Sequence, residues 1–375
     1  MTNFMLLKGF EVELFTGTFA GINVGVASAV TEDLLDFVKE PDQRNLEYIT
    51  VPDKRYSVLK HALLLPRQKL RKWLDCKKLT ILPGSTLSLG DIKNFERSDP
   101  ENSYHSFIER NYGTNVVTAS IHINLGIDDL PLLFSALRLV RSEASLFLAL
   151  SASSPFLAGH ATGFHSQRWF QFPKTPSNVP MFLDHAHYVQ WIEEQLFQGN
   201  MHNERHLWTS VRPNGPERPH ILNRLELRIC DLVCNVDLLL AITALLELRI
   251  INLKNNIKKY DPIEASAKTP KELAHLSDEN DLQAAKSSLD AQLSHWRNGK
   301  QIKCRDWIKE LLLDVTPLAK DLGVIELLQP IESVLKNGNQ SIRWLNSYSS
   351  GVSIQSLLQD GMSEMKLEET NFIQL

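Results

Sequence analysis

The sequence predicts an α+β fold in which strands come first along the chain and helices follow. Four short segments alternate apolar residues with charged ones, which is the pattern of a strand that has one packed face and one polar face. All four end before residue 230, and from residue 231 onward the apolar residues recur at helical spacing. Because strands and helices do not alternate regularly, the pattern argues against a doubly wound parallel sheet.

In each of the four segments the charged side chains occupy every second position, so they project to one face of the strand. They are residues 9–14, 46–48, 121–125 and 225–229. If they are neighbours in one sheet, a single surface collects Glu11, Glu13, Glu47, His122, Glu226 and Arg228. An exposed sheet face would explain any one segment, but the repetition favours a shared metal site, because carboxylates gathered on one face repel each other without a cation. An oxygen-rich site with a single imidazole favours Mg²⁺ or Mn²⁺ over zinc, and magnesium at such a site indicates a nucleotide phosphate.

Helical periodicity predicts helices over residues 56–76, 130–150, 188–197 and 236–253. The segment 130–150 is the most apolar, but Arg138, Arg141 and Glu143 interrupt it, so we expect no membrane span. Residues 151–180 and 208–223 are rich in Gly, Pro, Ser and His and are expected to be loops. We predict a catalytic domain over residues 5–247 and a helical region over 248–375 that packs on it and is not independent.

The composition excludes some classes of partner. A chain of 375 residues with 43% hydrophobic residues can cover a large core, and a formal charge of −4 gives no general attraction to nucleic acid or anionic membrane. Residues 1–7 have neither a charged n-region nor a small-residue cleavage site, so we expect a cytoplasmic protein. The four cysteines lack Cys-x-x-Cys spacing and are expected to be structural thiols.

Several weaker motifs leave alternatives open. Residues 82–91 lack the Gly-Lys-Ser/Thr ending of a P-loop, and a helix N-terminus explains Asp184 better than a zinc site with the histidines that follow it. Arg168 and Arg212 suit carboxylates or phosphates, although structural salt bridges explain either equally well. The hydroxyls of Ser154 and Ser166 are candidates for substrate or ATP binding, but turn chemistry also explains them.

Seven segments, in order across residues 7–246, resemble the carboxylate-amine ligases, and within them the glutamate-cysteine ligases of the cyanobacterial type. They are GFEVE at 9–13, RNLEYIT at 44–50, SIHIN at 120–124, ALSASSPF at 149–156, TGFHSQR at 162–168, WTSVRP at 208–213 and LELRICD at 225–231. The resemblance implies a glutamine synthetase/guanido kinase-like catalytic fold, in which a curved antiparallel sheet forms a funnel backed by helices.

The resemblance also implies an activity. It is the ATP-dependent joining of the γ-carboxylate of L-glutamate to the amine of L-cysteine, the first step of glutathione biosynthesis. The positions that match metal ligands are Glu11, Glu13, Glu47 and Glu226. Those that match other family positions are His122 near metal and phosphate, Arg228 at the transferring phosphate, and Arg168 and Arg212 at substrate carboxylates.

The central strand departs from the family pattern. Many relatives carry His-x-His there, whereas this chain has Ser120 as the first residue and Asn124 where a glycine usually follows. Three alternatives therefore stay open: a ligase with another amine acceptor, a two-metal hydrolase that needs no ATP, and a non-catalytic nucleotide-binding regulator. The sequence predicts no oligomeric state.

Overall fold

A seven-stranded antiparallel sheet organises the part of the chain that the computed structural model describes, residues 5–372. Its strands are β1 (Lys8–Gly17), β2 (Phe37–Lys39), β3 (Asn45–Ile49), β4 (Thr80–Leu82), β5 (Ile121–Gly126), β8 (Val211–Asn214) and β9 (Arg224–Leu227). Two small hairpins lie outside it, β6 (Phe156–Leu157) with β7 (His160–Ala161) and β10 (Gln292–Ser294) with β11 (Gln301–Lys303). The strand order is β2-β3-β1-β5-β9-β8, and β4 pairs with the end of β1. The four segments predicted from parity are therefore consecutive neighbours in one sheet.

The register brings the charged side chains to one face. Glu13 lies opposite Glu47 on β3, and Glu11 lies opposite His122 on β5. Glu226 on β9 lies between Asn124 and Arg212 on the adjacent strands. Since side chains alternate along a strand, the opposite parity faces the core, where residues such as Phe10, Val12 and Leu14 are almost fully buried. The sheet thus has one polar and one apolar face, as predicted.

Fourteen helices surround the sheet within residues 5–372. They are α1 (Ala27–Asp33), α2 (Tyr56–Asp75), α3 (Ser103–Tyr112), α4 (Leu130–Ser151), α5 (Gln167–Gln171), α6 (His185–Phe197), α7 (Val236–Asn255), α8 (Ile257–Tyr260), α9 (Pro262–Ala265), α10 (Pro270–Ser287), α11 (Cys304–Asp321), α12 (Gln329–Asn337), α13 (Gln340–Ser349) and α14 (Ile354–Asn371). The predicted helices correspond to α2, α4, α6 and α7, and α6 begins three residues earlier than predicted.

Helices α4 and α7 form the buried support of the sheet. Each begins at a side-chain cap: Asp129 accepts a hydrogen bond from the backbone N–H of Leu132, and Asn235 accepts one from Leu238. Almost every residue of α4 is buried, including the charged ones. Glu143 of α4 accepts two hydrogen bonds from Arg249 of α7, at 3.0 and 2.7 Å, so the charges that interrupt this apolar helix join it to its neighbour. Within the described residues, every helix is too short or too polar to span a membrane.

One predicted loop contains a strand. The segment 208–223 includes β8, whose four residues carry Pro213 in the middle. Proline cannot donate to a strand ladder, but β8 is the edge strand of the sheet, where a missing donor is tolerated. The proline-rich composition therefore concealed a strand that lies beside the charged face.

The C-terminal helices share the core of the sheet. Helix α7 runs through residue 247, so no linker separates the two predicted domains at that point. Helix α14 returns to α2, where Glu369 accepts hydrogen bonds from Arg67 at 3.1 Å and from Arg71. The C-terminal region also contains the β10–β11 hairpin in addition to its helices. The division into domains stays a prediction, and residues 1–4 and 373–375 lie outside the described structure.

Candidate active site

Two groups of metal-ligand side chains lie on the polar face of the sheet. The acidic cluster consists of Glu13, Glu40 and Glu47, and the mixed cluster consists of Glu11, His122 and Glu226. In each group the potential ligand atoms all lie within 4.8 Å of one another. All four glutamates proposed from the sequence belong to one cluster or the other, and Glu40 is an additional member.

Glu40 is the candidate ligand that the sequence analysis missed. It directly follows the three-residue strand β2 and precedes Pro41, so no alternating pattern marks it. Strand pairing shows where Glu40 points. Val38 lies opposite Glu47, and Glu40, two residues after Val38, projects to the same face of the sheet. The carboxylate of Glu40 therefore projects to the same face as that of Glu47.

The acidic cluster holds its carboxyl groups in an unfavourable environment. Burial raises the pKa of Glu13 and of Glu40. At Glu47, burial together with the charges of Glu40 and Glu11 raises the pKa to about 11. Three partly buried carboxyl groups with raised pKa values fit a divalent cation, which would replace the shared protons and offset the repulsion.

The mixed cluster has a different balance of charge. His122 Nδ1 lies 3.0 Å from Glu11 Oε2 and 3.7 Å from Glu226 Oε1. Burial acts to raise the pKa of Glu226, but Arg212 and Arg228 outweigh it and hold the pKa well below its usual range. Burial and the charge of Glu226 also act to raise the pKa of Glu11. The hydrogen bond to His122 and the charges of His122 and Arg228 outweigh them, so the pKa of Glu11 is lowered. Both carboxylates are therefore ionised at neutral pH and available as hard oxygen ligands.

Arg228 supplies a positive charge in direct contact with the mixed cluster. It directly follows β9, and its backbone N–H donates to the carbonyl of Ser210 at 2.8 Å. Its guanidinium donates to Glu226 and lies 3.4 Å from His122 Nδ1. Burial alone would lower the pKa of Arg228, but the charges of Glu226 and Glu11 raise it. The guanidinium is thus a fixed cation beside the candidate metal ligands.

Arg212 and Arg168 are both tied to protein groups. Arg212 donates to both carboxylate oxygens of Glu226, at 2.8 and 3.1 Å, and to the carbonyls of Arg205 and Leu207. Arg168 donates to the carbonyls of Arg228 and Cys230, at 2.8 and 2.7 Å. Arg212 therefore fixes Glu226, and Arg168 fixes the backbone that carries Arg228. The carboxylate-binding role implied for them stays a prediction.

The two candidate serines are buried and hydrogen-bonded within the protein, and their predicted contact with a ligand stays a prediction. Both are fully buried, and both hydroxyls donate to Asp231, from Ser154 at 2.7 Å and from Ser166 at 2.8 Å. The Asp231 carboxylate also lies 3.2 Å from Arg168 Nε. Each hydroxyl hydrogen is donated to Asp231, so these serines orient the Asp231 carboxylate. Through the contact of Asp231 with Arg168 they support the backbone that carries Arg228.

A pocket of about 580 Å³ adjoins Glu11 at the other end of the polar face. Gly9 and Gly126, which project to the same face as Glu11 and His122, add no side chains to its floor, whereas Asn124, opposite Gly9, does. Ile49 and Pro52 belong to its apolar wall. The volume lies within the usual range of small-molecule sites, and apolar walls beside a charged end suit a ligand with one apolar and one anionic part.

Comparison with known proteins gives a consistent family assignment. A model of glutamate-cysteine ligase family 2 matches residues 7–368. A relative from Herpetosiphon aurantiacus, provisionally named glutamate-cysteine ligase 2, is 25% identical over 269 residues, which is 71% of this chain and 67% of the relative. A relative from Sorangium cellulosum with the same provisional name is 25% identical over 301 residues, which is 77% of this chain and 75% of the relative.

Two solved structures share the fold. The glutamate-cysteine ligase of Francisella tularensis in complex with AMP superposes with a TM-score of 0.77 at 13% identity, over 99% of this chain and 90% of that one. A bifunctional glutathione synthetase from Pasteurella multocida superposes with a TM-score of 0.76 at 15% identity. The superposition covers 97% of this chain but only 53% of the synthetase, so the chain spans about half the length of that protein. The predicted fold class is therefore confirmed.

Proposed function

Because the chain belongs to glutamate-cysteine ligase family 2 and has the fold of the carboxylate-amine ligases, we propose that it joins the γ-carboxylate of L-glutamate to the amine of L-cysteine with ATP and Mg²⁺. The observation that carries the proposal is the pair of metal-ligand clusters, with the guanidinium of Arg228 in contact with Glu226 and His122 of the mixed cluster. Mn²⁺ would suit the same oxygen-rich ligands.

The reaction needs the carboxylate oxygen to become a leaving group. Phosphorylation by ATP gives γ-glutamyl phosphate, and the amine of cysteine then attacks the acyl carbon and releases phosphate. Divalent cations bound at such sites neutralise the charge of nucleotide phosphates. The side chains that would hold them are Glu13, Glu40 and Glu47 in one cluster and Glu11, His122 and Glu226 in the other.

Arg228 would stabilise the phosphoryl group during transfer. Its guanidinium is already desolvated and oriented by Glu226, so little reorganisation is needed when negative charge develops beside it. Arg212 donates to both carboxylate oxygens of Glu226 and so fixes the orientation of that carboxylate. No covalent nucleophile of the protein is required, because the substrate carboxylate attacks the phosphate directly.

We assign the nucleoside to the pocket beside Glu11. Its apolar wall suits the faces of a purine ring, and the amide of Asn124 in its floor can hydrogen-bond the ring edge. Glu11 stands where this pocket meets the mixed cluster, so the phosphates of a nucleotide bound there would point toward the candidate cation ligands. An amino acid that occupied the same space would leave most of the apolar wall without a partner.

The proposal is tested with purified protein, Mg²⁺-ATP and L-glutamate, with and without L-cysteine. ADP and γ-glutamylcysteine are followed by mass spectrometry, and we expect equal amounts of the two. The variant Glu226→Gln should lose the activity, whereas Glu279→Gln, on the solvent-exposed side of α10, should keep it. If ADP forms only with glutamate but no dipeptide appears, the amine acceptor is a molecule other than cysteine. Cleavage of a substrate without ATP would favour the hydrolase.

A further inference from the structure

Ser120 connects the two clusters through a single hydroxyl group. It directly precedes β5, and its carbonyl accepts a hydrogen bond from the backbone N–H of Glu13 at 2.9 Å. Its side chain is 4% exposed. Ser120 Oγ lies 2.8 Å from Glu13 Oε2 in the acidic cluster and 3.1 Å from His122 Nε2 in the mixed cluster. One buried hydroxyl therefore contacts a member of each cluster.

The number of hydrogens at this contact determines their directions. An ionised carboxylate only accepts hydrogen bonds, so the one hydrogen of the Ser120 hydroxyl is donated to Glu13 when Glu13 serves as a metal ligand. The serine oxygen must then accept from His122, which requires the hydrogen of the imidazole to be on Nε2. In the neutral imidazole the other nitrogen, Nδ1, then carries a lone pair, and a cation bound by Nδ1 and Glu11 would take the place of the hydrogen in their 3.0 Å hydrogen bond.

The lone pair on Nδ1 faces the remaining members of the mixed cluster. Nδ1 lies 3.0 Å from Glu11 and 3.7 Å from Glu226, and all three ligand atoms fall within the span of a metal site. If Nδ1 carried the hydrogen instead, Nε2 would meet Ser120 with its lone pair and the serine hydrogen would be drawn away from Glu13. The tautomer of His122 and the orientation of Glu13 are thus set by the same hydroxyl.

On the basis of the proposed function, we propose that Ser120 is the positioning residue that makes His122 Nδ1 a metal ligand and couples the two clusters. The hydrogen-bond chain runs from His122 Nε2–H to Ser120 and from Ser120 to Glu13. Partners of this kind, which orient a ligating histidine through its second nitrogen, commonly change metal affinity by about 10-fold to 100-fold when removed.

The experiment measures Mn²⁺ binding to the full chain by electron paramagnetic resonance, with nitrogen modulation of the spin echo as the signature of a ligating imidazole. The wild-type protein should show ¹⁴N modulation that disappears in His122→Gln. Ser120→Ala should bind Mn²⁺ at least about 10-fold more weakly and lose most of the modulation. Ser120→Thr keeps a hydroxyl and should retain both properties.

Ser145→Ala is the matched control, because it also removes the hydroxyl of a buried serine, but from helix α4. It should leave Mn²⁺ binding and the modulation unchanged. Unchanged affinity and modulation in Ser120→Ala would overturn the proposal, as would equal losses in the alanine and threonine variants, which would assign the effect to side-chain volume. A wild-type protein without nitrogen modulation would also overturn it.

The assay for dipeptide formation is run on the same wild-type preparation. If Mn²⁺ binding shows histidine nitrogen that depends on Ser120 while no dipeptide forms, the proposed substrates are wrong and the role of Ser120 stands. If the dipeptide forms and Mn²⁺ binding is the same in the wild type and in Ser120→Ala, only the role proposed for Ser120 is wrong.

Discussion

Replacing Glu47 by glutamine should change how the stability of the metal-free protein depends on pH. In the folded protein burial and the charge of Glu40 raise the pKa of Glu47 to about 11, whereas a glutamate in an unfolded chain has a pKa of about 4.3. Between these values the folded protein keeps a proton that the unfolded chain has lost, so unfolding releases it. The free energy of unfolding must then fall as pH rises through this window.

The size of the effect follows from the one proton involved. A difference of one bound proton corresponds to about 1.4 kcal/mol per pH unit. Because of this carboxyl group, the free energy of unfolding of the wild-type protein should therefore fall by about 2.7 kcal/mol between pH 6 and pH 8. Glutamine cannot release a proton, and the Glu47→Gln variant should lose that part of the slope. Groups far from Glu47 contribute equally to both proteins and cancel in the comparison.

The measurement is urea unfolding followed by circular dichroism at pH 6, 7 and 8 in the presence of EDTA. The wild-type slope should be steeper than the Glu47→Gln slope by about 1.4 kcal/mol per pH unit, and Glu279→Gln should follow the wild type. Saturating Mg²⁺ should remove the difference, because a cation at the acidic cluster keeps Glu47 ionised. Parallel wild-type and Glu47→Gln slopes in EDTA would refute the account of the acidic cluster.

Three further changes test other parts of the structure. Arg228→Ala should lower the rate of ADP formation by at least about 10³ with an unchanged circular dichroism spectrum, and a near-normal rate would exclude its role at the phosphoryl group. Glu13→Gln should raise the Mg²⁺ concentration needed for half-maximal activity without loss of fold, whereas a collapsed spectrum would make the residue structural. Lys8→Met should reduce the free energy of unfolding by about 3–5 kcal/mol, because it leaves the fully buried Glu247 carboxylate without its ammonium partner at 3.0 Å; a urea titration showing less than about 1 kcal/mol would contradict this.

The sheet could be predicted from the sequence because its strands carry a strict alternation. In residues 9–14 and 121–125 the charged side chains face the site and the alternating apolar side chains are buried in the core, so the sequence pattern reflects both faces of the sheet. Strands β2 and β8 were not predicted, each for a different reason. The first has only three residues, too few to show a period, and the second contains a proline that composition assigns to a loop.

The site was predictable where a residue's role follows from the strand that carries it. Glu226 lies on β9 and Arg228 directly follows that strand two residues later, so their shared face follows from the alternation of side chains. Ser154 and Ser166 show the limit, because their partner Asp231 lies 77 and 65 residues away along the chain. Such distant pairs leave no local signal, and a hydroxyl that binds a ligand cannot be distinguished in sequence from one that supports a neighbouring carboxylate.

The contact between α14 and α2 has a consequence for the order of folding during synthesis. The guanidinium groups of Arg67 and Arg71 are buried, and Glu369 is the carboxylate that they share. During translation, Glu369 is added 302 residues after Arg67 and 298 residues after Arg71, so both guanidinium groups lack this counter-ion for most of synthesis. The packing of helix α2 therefore stays incomplete until after Glu369 has been synthesised, and a nascent chain that stalls earlier should present this region to chaperones and proteases.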